Sequence, residues 1–199
     1  MNFAVMASGR GGNLLAIIKA VQAGKIHANL TLVISDKKDA YALEHARQNN
    51  IPAVHINPKD FPDRESFDRA VVTRLRESKI DFVVLAGYMR LLSSHFIQQY
   101  PHKILNIHPS LLPLFKGTHA IRDAFESRPK ETGPTVHIVV EEMDAGPIII
   151  QEAIPVEPTD TLESLEEKIH RVEHRIYPQA IELFAQGRVK VQGNKVLIV

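Results

Sequence analysis

The chain has 199 residues, 44% hydrophobic and 24% charged, with a formal net charge of +1 at pH 7. That length predicts one domain with a sizeable core, and the dispersed, near-neutral charge argues against nucleic acid or a membrane surface as partner. The absence of cysteine removes disulfides, thiolate metal sites and a cysteine nucleophile, and it suits a reducing compartment. Residues 1–8 carry no basic leader and no apolar run reaches the length of a membrane span, so a globular cytoplasmic protein is expected.

Phe3 to Ala7 reads as a short apolar strand, followed by the glycine-rich turn Ser8-Gly9-Arg10-Gly11-Gly12-Asn13. Leu14, Leu15, Ile17, Ile18 and Val21 then recur at helical spacing up to Gly24, a natural stop. The next unit is a strand over Leu30–Ser35, a helix from about Lys38 to Asn50 with Asp36 as its N-cap, and a short strand over Ala53–Ile56. After Pro58 and Pro62 the spacing predicts a helix from about Asp63 to Ser78, with Phe67, Val71 and Leu75 on its buried face. Residues 81–87 read as a strand buried on both faces, which favours a parallel sheet. A helix from about Ser93 to Gln99 leads into a strand over Ile104–Ile107.

This alternation predicts an α/β fold: an open, Rossmann-like, mostly parallel sheet with helices on both faces. The three unusual stretches, 8–13, 87–92 and 106–119, all fall at strand C-terminal ends, where such sheets bind ligands. Beyond them come a helix over about Ala120–Ser127 capped by Thr118, and two strands, Thr135–Val140 and Ile148–Val156, close enough for an antiparallel pair. A long C-terminal helix should start at about Asp160, with Asp160 and Glu163 as a capping box and Leu162, Leu165, Ile169, Val172 and Ile176 as its apolar stripe. Pro178 should kink or stop it, and 189–199 should close as a hairpin around Gly193-Asn194. No linker or internal repeat is visible, so 1–199 is read as one domain.

Several stretches are candidates for chemistry. Gly11, Gly12 and Asn13, between strand and helix, can present backbone N–H groups to one phosphate; a tight turn needing glycine for steric reasons is the competing reading. No G-x-G-x-x-G occurs. Alternation sends Leu105 and Ile107 to one face of their strand and Asn106 and His108 to the other. An amide donor and an imidazole side by side at a strand end suit a developing oxyanion. A carboxylate beside His108 would raise its pKa and keep it protonated; Asp144, in an acidic Gly-bounded turn, is the candidate, although spacing alone does not join them. Met89 and Leu92 with Arg90 suit the wall of a flat, partly apolar ligand, and Arg64 a carboxylate tail. His170-Arg171-Val172-Glu173-His174 reads as a solvated helix face, with Glu173 beside the core stripe. No H-E-x-x-H occurs and the 170/174 histidine pair lacks a third ligand, so no metal is expected.

Taken together, Ser8-Gly9-x-Gly11-x-Asn13-Leu14, Leu85-Ala86-Gly87-Tyr88-Met89-Arg90, Asn106-Ile107-His108-Pro109-Ser110-Leu111-Leu112-Pro113, Thr135-Val136-His137, Asp144-x-Gly146-Pro147 and Glu173-His174-x-x-Tyr177-Pro178 resemble the folate-dependent phosphoribosylglycinamide formyltransferases. The resemblance runs essentially end to end. It implies formyl transfer from 10-formyltetrahydrofolate to the amine of glycinamide ribonucleotide in purine synthesis, with Asn106, His108 and Asp144 catalytic. It implies a ribonucleotide site at Gly11, Gly12, Asn13, His170, Arg171, Val172 and Glu173. The implied folate site comprises Arg64, Met89, Arg90, Leu91, Leu92, Asn106, Val140, Glu141, Glu142, Met143 and Asp144. His119, His137 and Ser110 would support these from behind, and Leu112–Pro113 would be cis. Residues 1–100 would then form a phosphate-binding half and 101–199 a catalytic and folate-binding half. A formyltetrahydrofolate hydrolase, a non-catalytic nucleotide-binding α/β protein and a nicotinamide oxidoreductase are the alternatives. Both monomer and homodimer remain compatible with the sequence. Two departures stand out: Gly12 where the family usually has Ser, predicting a lost hydroxyl contact to phosphate, and Pro134, predicting an edge strand or a bulge.

Overall fold

The computed structural model describes residues 1–199. Five strands, β1 (Asn2–Met6), β2 (Asn29–Ser35), β3 (Ala53–His55), β4 (Phe82–Leu85) and β5 (Ile104–His108), alternate with helices α1 (Gly12–Gln22), α2 (Tyr41–Gln48), α3 (Arg64–Glu77) and α4 (Ser94–Gln99). The second half adds α5 (Ala120–Ser127), β6 (Glu131–Thr132), β7 (Thr135–Ile138), β8 (Ile148–Gln151), β9 (Ile154–Pro155), α6 (Leu162–Ala185), β10 (Val189–Gln192) and β11 (Lys195–Ile198). One seven-stranded sheet runs β3-β2-β1-β4-β5-β7-β8. Its first five strands are parallel, and β7 and β8 are added antiparallel. This is the expected mostly parallel architecture, with the strand order reversing at β1.

Side-chain alternation divides the core between the two faces. Phe3, Val5, Val33, Phe82, Val84, Leu105 and Ile107 pack with α1, α2 and α6. Ala4, Met6, Leu32, Ile34, Val83, Leu85 and Ile104 pack with α3 and α4. Asn106 and His108 therefore point to the α3/α4 side, as the alternation predicts. Tyr177 on α6 is fully buried, and its hydroxyl donates to the carbonyls of Leu85 at 2.8 Å and Leu105 at 3.1 Å. It ties the C-terminal part of β4 to β5 directly below the loops that follow them.

Several local expectations are corrected. Asp36 caps no helix: α2 begins after Ala40 without a side-chain cap, and Asp36 is buried, accepting from Ser8 Oγ at 2.6 Å. Thr118 does not cap α5, whose N-cap position is His119. On α6 the capping box is Thr161 with Ser164. Asp160, one residue earlier, is taken up by Ser164 Oγ and Lys168 Nζ, at 2.8 Å each, and by Glu157 N–H. Pro178 does not stop α6, which continues to Ala185; at that depth the sheet holds the helix face and outweighs one lost backbone bond. The strand foreseen over Ile148–Val156 is broken, and β9 leaves the main sheet to pair with β6. Pro134 precedes an interior strand, since β7 lies between β5 and β8; a register shift does fall between Val136 and His137.

No helix is long and apolar enough to cross a membrane.

Candidate active site

Two turns meet where the strand order reverses. Ser8 N–H donates to Gly87 O at 3.0 Å and Met89 N–H to Ser8 Oγ at 2.9 Å, locking the glycine turn to the 86–92 loop. Gly11 has φ +77°, and a Cβ there would lie 2.9 Å from Ala42 Cα, so both conformation and packing demand glycine. The first intrahelical bond of α1 is Leu15 N–H to Gly11 O. The N–H groups of the first turn before it find no backbone acceptor in the fold.

Asn13 Nδ2 donates to Glu173 Oε2 at 2.9 Å, joining α1 to α6 across 160 residues. Asn13 Oδ1 is buried and has no donor. Glu173 is only 4% exposed, and burial pushes its carboxyl up to about 7, the Asn13 hydrogen bond opposing this only in part. The sequence reading put Val172 on the buried stripe and Glu173 beside it. Val172 is half-buried, and Glu173 is itself on the stripe with Leu165, Ile169, Ile176 and Tyr177. His170 is half-buried, its ring nearly parallel to that of His174 with centroids 6.5 Å apart; Arg171 is exposed.

The 86–92 loop carries a mixed wall. Met89 and Leu91 are exposed, at 67% and 58%, and Leu92 packs on the α3/α4 core. Arg90 lies over the Phe67 ring at 4.9 Å, and its buried Nε has no partner. Arg64, exposed at the start of α3, and Arg90 both act on the buried carboxylate of Asp68, whose pKa burial raises. Asp68 accepts from Ser93 N–H at 2.6 Å, anchoring the end of this loop to α3.

Asp144 lies in the turn between β7 and β8, facing the end of β5 that carries Asn106 and His108. Its Oδ2 accepts from Gly117 N–H at 2.9 Å and stands 3.6 Å from His108 Nδ1. Its Oδ1 stands 3.8 Å from His137 Nε2. The turn reaches this position because Gly146 lies flat on β7: a Cβ there would collide with the Ile138 carbonyl oxygen. Asp144 itself adopts φ +53°, a conformation Asp tolerates better than most residues. Val140 is half-buried, Glu141, Glu142 and Met143 are exposed, and Glu142 pairs with Lys116 at 3.2 Å.

Hydrogen-bond partners fix the two imidazoles. His108 is 5% exposed, and its Nε2 lies 2.8 Å from Phe115 O. A carbonyl only accepts, so Nε2 carries a proton and Nδ1 is the nitrogen left facing Asp144. His137 is 2% exposed. Its Nδ1–H donates to Ile138 O at 3.1 Å, and its Nε2 accepts from Asn106 Nδ2, also at 3.1 Å. Burial lowers the His137 pKa, in keeping with a neutral ring whose Nε2 lone pair takes the Asn106 N–H. Ser110, fully buried, donates to Leu114 O at 2.5 Å and Phe115 O at 3.2 Å, shaping the loop that carries the His108 acceptor. The Leu112–Pro113 bond of this loop is cis, as expected. His119 is exposed, with Thr118 as its side-chain partner, and does not join the cluster. No group of three or more His, Asp or Glu side chains is arranged around a common metal position.

Sequence reasoning missed the backbone members of this site, Phe115 O and Gly117 N–H, for which residue type carries no signal. It also gave His137 no specific partner, although the pairing of Asn106 with His137 follows once β5 and β7 are recognised as antiparallel neighbours.

Residues 1–181 match the family model described as formyl transferase. The chain is 42% identical over 194 residues to the phosphoribosylglycinamide formyltransferase of Escherichia coli, covering 98% of this chain and 92% of that protein. It is 45% identical over 191 residues to the human trifunctional purine biosynthetic protein adenosine-3, covering 96% of this chain but only 19% of that much longer protein. The crystal structure of glycinamide ribonucleotide transformylase 1 from Symbiobacterium toebii superposes with a TM-score of 0.98 at 47% identity, covering 100% of this chain and 94% of that one. With this overlap across almost its whole length, the chain belongs to the formyl transferase family, among its phosphoribosylglycinamide formyltransferases.

Proposed function

We propose that the protein transfers the formyl group of 10-formyltetrahydrofolate to the amine of glycinamide ribonucleotide, giving the formylated ribonucleotide and tetrahydrofolate, as a cytoplasmic step of purine synthesis. The observation that carries this reading is the convergence of Asn106, His108 and Asp144 at the end of β5. There, Asp144 stands 3.6 Å from His108 Nδ1 and 3.8 Å from His137 Nε2, the nitrogen to which Asn106 donates.

The ribonucleotide phosphate would sit on the first-turn N–H groups of Gly11, Gly12 and Asn13, with Glu173 taking ribose hydroxyls and His170 to Val172 completing that wall. The folate would lie along Met89 to Leu92 and the Val140–Asp144 loop, its anionic tail toward Arg64. The residues fit such a molecule: exposed apolar side chains at Met89, Leu91 and Met143 suit a flat ring, and the unpartnered Arg90 Nε suits its polar edge. Each proposed subsite draws on both halves of the chain.

In the reaction the ribonucleotide amine attacks the formyl carbon and the carbonyl oxygen takes up negative charge. Asn106 has one N–H engaged by His137 and a second to give to that oxygen. His108, with Nε2 held by Phe115 O, would donate through Nδ1, which requires the imidazolium; Asp144 at 3.6 Å supplies the balancing charge. Each such donor is worth about 3 kcal/mol in comparable sites. The proton lost by the amine passes by way of Asp144 to the departing folate nitrogen, and the carbon–nitrogen bond to the folate breaks.

The test is formyl transfer to glycinamide ribonucleotide followed at the folate chromophore, with the product identified. Formylated ribonucleotide is expected in step with folate consumption. Formate release without formylated ribonucleotide would replace the transferase by a hydrolase, with water in place of the amine.

A further inference from the structure

Residues 88–92, the wall proposed for the folate, make no backbone–backbone hydrogen bond. Side chains of two other elements hold this stretch of main chain at its ends. Met89 N–H donates to Ser8 Oγ at 2.9 Å, and Ser93 N–H, just beyond the wall, donates to Asp68 Oδ2 at 2.6 Å. The wall's own buried polar atoms add no hold: the Tyr88 hydroxyl and Arg90 Nε have no partner. Ser8 belongs to the glycine turn, ahead of Gly11, and its N–H is given to Gly87 O. Its hydroxyl donates to Asp36 Oδ1 at 2.6 Å. Asp36 directly follows β2, is 5% exposed, and takes part in no ion pair. An ionised carboxylate only accepts, so the Ser8 proton points at Asp36 and a Ser8 lone pair is left for Met89 N–H. Amide, hydroxyl and carboxylate thus form one chain that ends in a charge, the arrangement that strengthens each of its bonds.

We propose that Ser8, oriented by Asp36, couples the two substrate subsites: a ribonucleotide on the glycine turn tightens folate binding at the 88–92 wall, and the folate tightens ribonucleotide binding. This rests on the substrate reading above. A phosphate on the glycine turn fixes the turn, and Ser8 with it, so that the hydroxyl is in place for Met89. With the turn free to move, the wall keeps Ser93 as its polar anchor, while Met89 and Leu91 are already 67% and 58% exposed. The two states are therefore the wall docked on Ser8 and the wall released from it. Each ligand favours the docked state, and linkage makes the effect reciprocal.

Ser8 and Asp36 are positioning residues in this account. The hydroxyl is committed to Asp36 and Met89, so it is not itself a phosphate donor. At position 36 an acceptor is what matters. Asparagine still offers an oxygen to the Ser8 hydroxyl, whereas alanine leaves that proton free to turn and the lone pair no longer aimed at Met89.

The experiment is calorimetric titration with tetrahydrofolate, with and without saturating glycinamide ribonucleotide, a pair that cannot react because neither carries a formyl group. The quantity read is the ratio of the two Kd values. In the parent the ribonucleotide is expected to tighten tetrahydrofolate about 5- to 20-fold, at the lower end of the range for coupled sites. Ser8→Ala should bring the ratio to within about 2-fold of one, with the Kd of the ribonucleotide alone within about 3-fold of the parent. That substitution leaves the Asp36 carboxylate buried without its donor, so Ser8→Ala/Asp36→Ala, which removes the charge as well, is measured beside it and should give the same ratio. Asp36→Ala should match Ser8→Ala, and Asp36→Asn should stay within about 2-fold of the parental ratio. A general loosening of the fold would weaken both ligands without changing the ratio, so the parental ratio in Ser8→Ala and in the double variant overturns the proposal. A parent that binds both ligands with unlinked affinities also overturns it and leaves the formyl transfer standing. A parent that binds neither ligand overturns the substrate reading itself, and the coupling falls with it.

Discussion

Asn106 Nδ2 lies 3.1 Å from His137 Nε2, and the two residues stand opposite each other in the antiparallel register of β5 and β7. The orientation of one proposed oxyanion donor is thus set by a buried ring whose other nitrogen is held by the backbone. His137→Ala should lower kcat by about 10- to 100-fold, less than or comparable to outright removal of a donor, with KM for the folate within about 3-fold. His137→Gln, whose side-chain oxygen can still accept the Asn106 N–H, should recover most of the loss. Steady-state kinetics of the two variants decide it: equal rates in Ala and Gln would mean that His137 does not act through Asn106.

Asp144 combines a charge with a structural task, and the two separate by substitution. Asn tolerates the φ of +53° at this position and keeps an oxygen for Gly117 N–H. Asp144→Asn is therefore expected to fold with a thermal midpoint within a few degrees of the parent, while kcat falls about 10²–10⁴-fold, the range for losing a proton-transfer group. His108→Ala should fall into the same range. Near-parental turnover in either variant would rule out the proposed chemistry.

Comparing sequence with structure separates two kinds of information. The sheet, its helices and the facing of Asn106 and His108 were legible because alternation and 3.6-residue spacing report burial directly. Helix caps were not. Asp36, Thr118 and Asp160 all have capping chemistry, but Asp36 is claimed by Ser8 from another element, α5 starts without a side-chain cap, and Asp160 serves Ser164 and Lys168. Glu173 was misplaced because charge argued for the surface; only the α1–α6 contact through Asn13 shows why a carboxylate can occupy a core stripe. Joining His108 to Asp144 depended on the family resemblance, since the physical cause, Gly146 lying against β7, becomes visible only in three dimensions.

Tyr177 joins β4 and β5 from below the site, its hydroxyl shared by Leu85 O and Leu105 O. Tyr177→Phe keeps the ring packing and removes both bonds. The expected cost is about 1–2 kcal/mol, or roughly 2–8 °C in Tm for a chain of this size, measured by urea and thermal unfolding. Those carbonyls precede the 86–92 loop and Asn106, so KM for the folate should also rise modestly. A variant as stable as the parent would show that the two strands need no such tie.

Glu173 gives stability a pH dependence whose sign follows from its raised pKa. The group titrates near 4.5 in an ordinary environment and near 7 in the folded chain. Below about pH 4.5 it is protonated whether the chain is folded or not and has no effect. Between about 4.5 and 7 the folded chain holds more protons than the unfolded one, so stability falls as pH rises. Above about pH 7 the loss is complete and amounts to about 3 kcal/mol at most. Glu173→Gln removes the titration while keeping an oxygen for Asn13 Nδ2. Urea unfolding at pH 5 and pH 8 should show the variant gaining on the parent at pH 8 by up to that amount, with little difference at pH 5. Parallel pH profiles for the two proteins would mean that the carboxyl ionises in the fold without penalty. In the parent, a ribonucleotide whose ribose hydroxyls donate to the ionised carboxylate should offset part of the loss, so its stabilising effect on Tm should be larger at pH 8 than at pH 6.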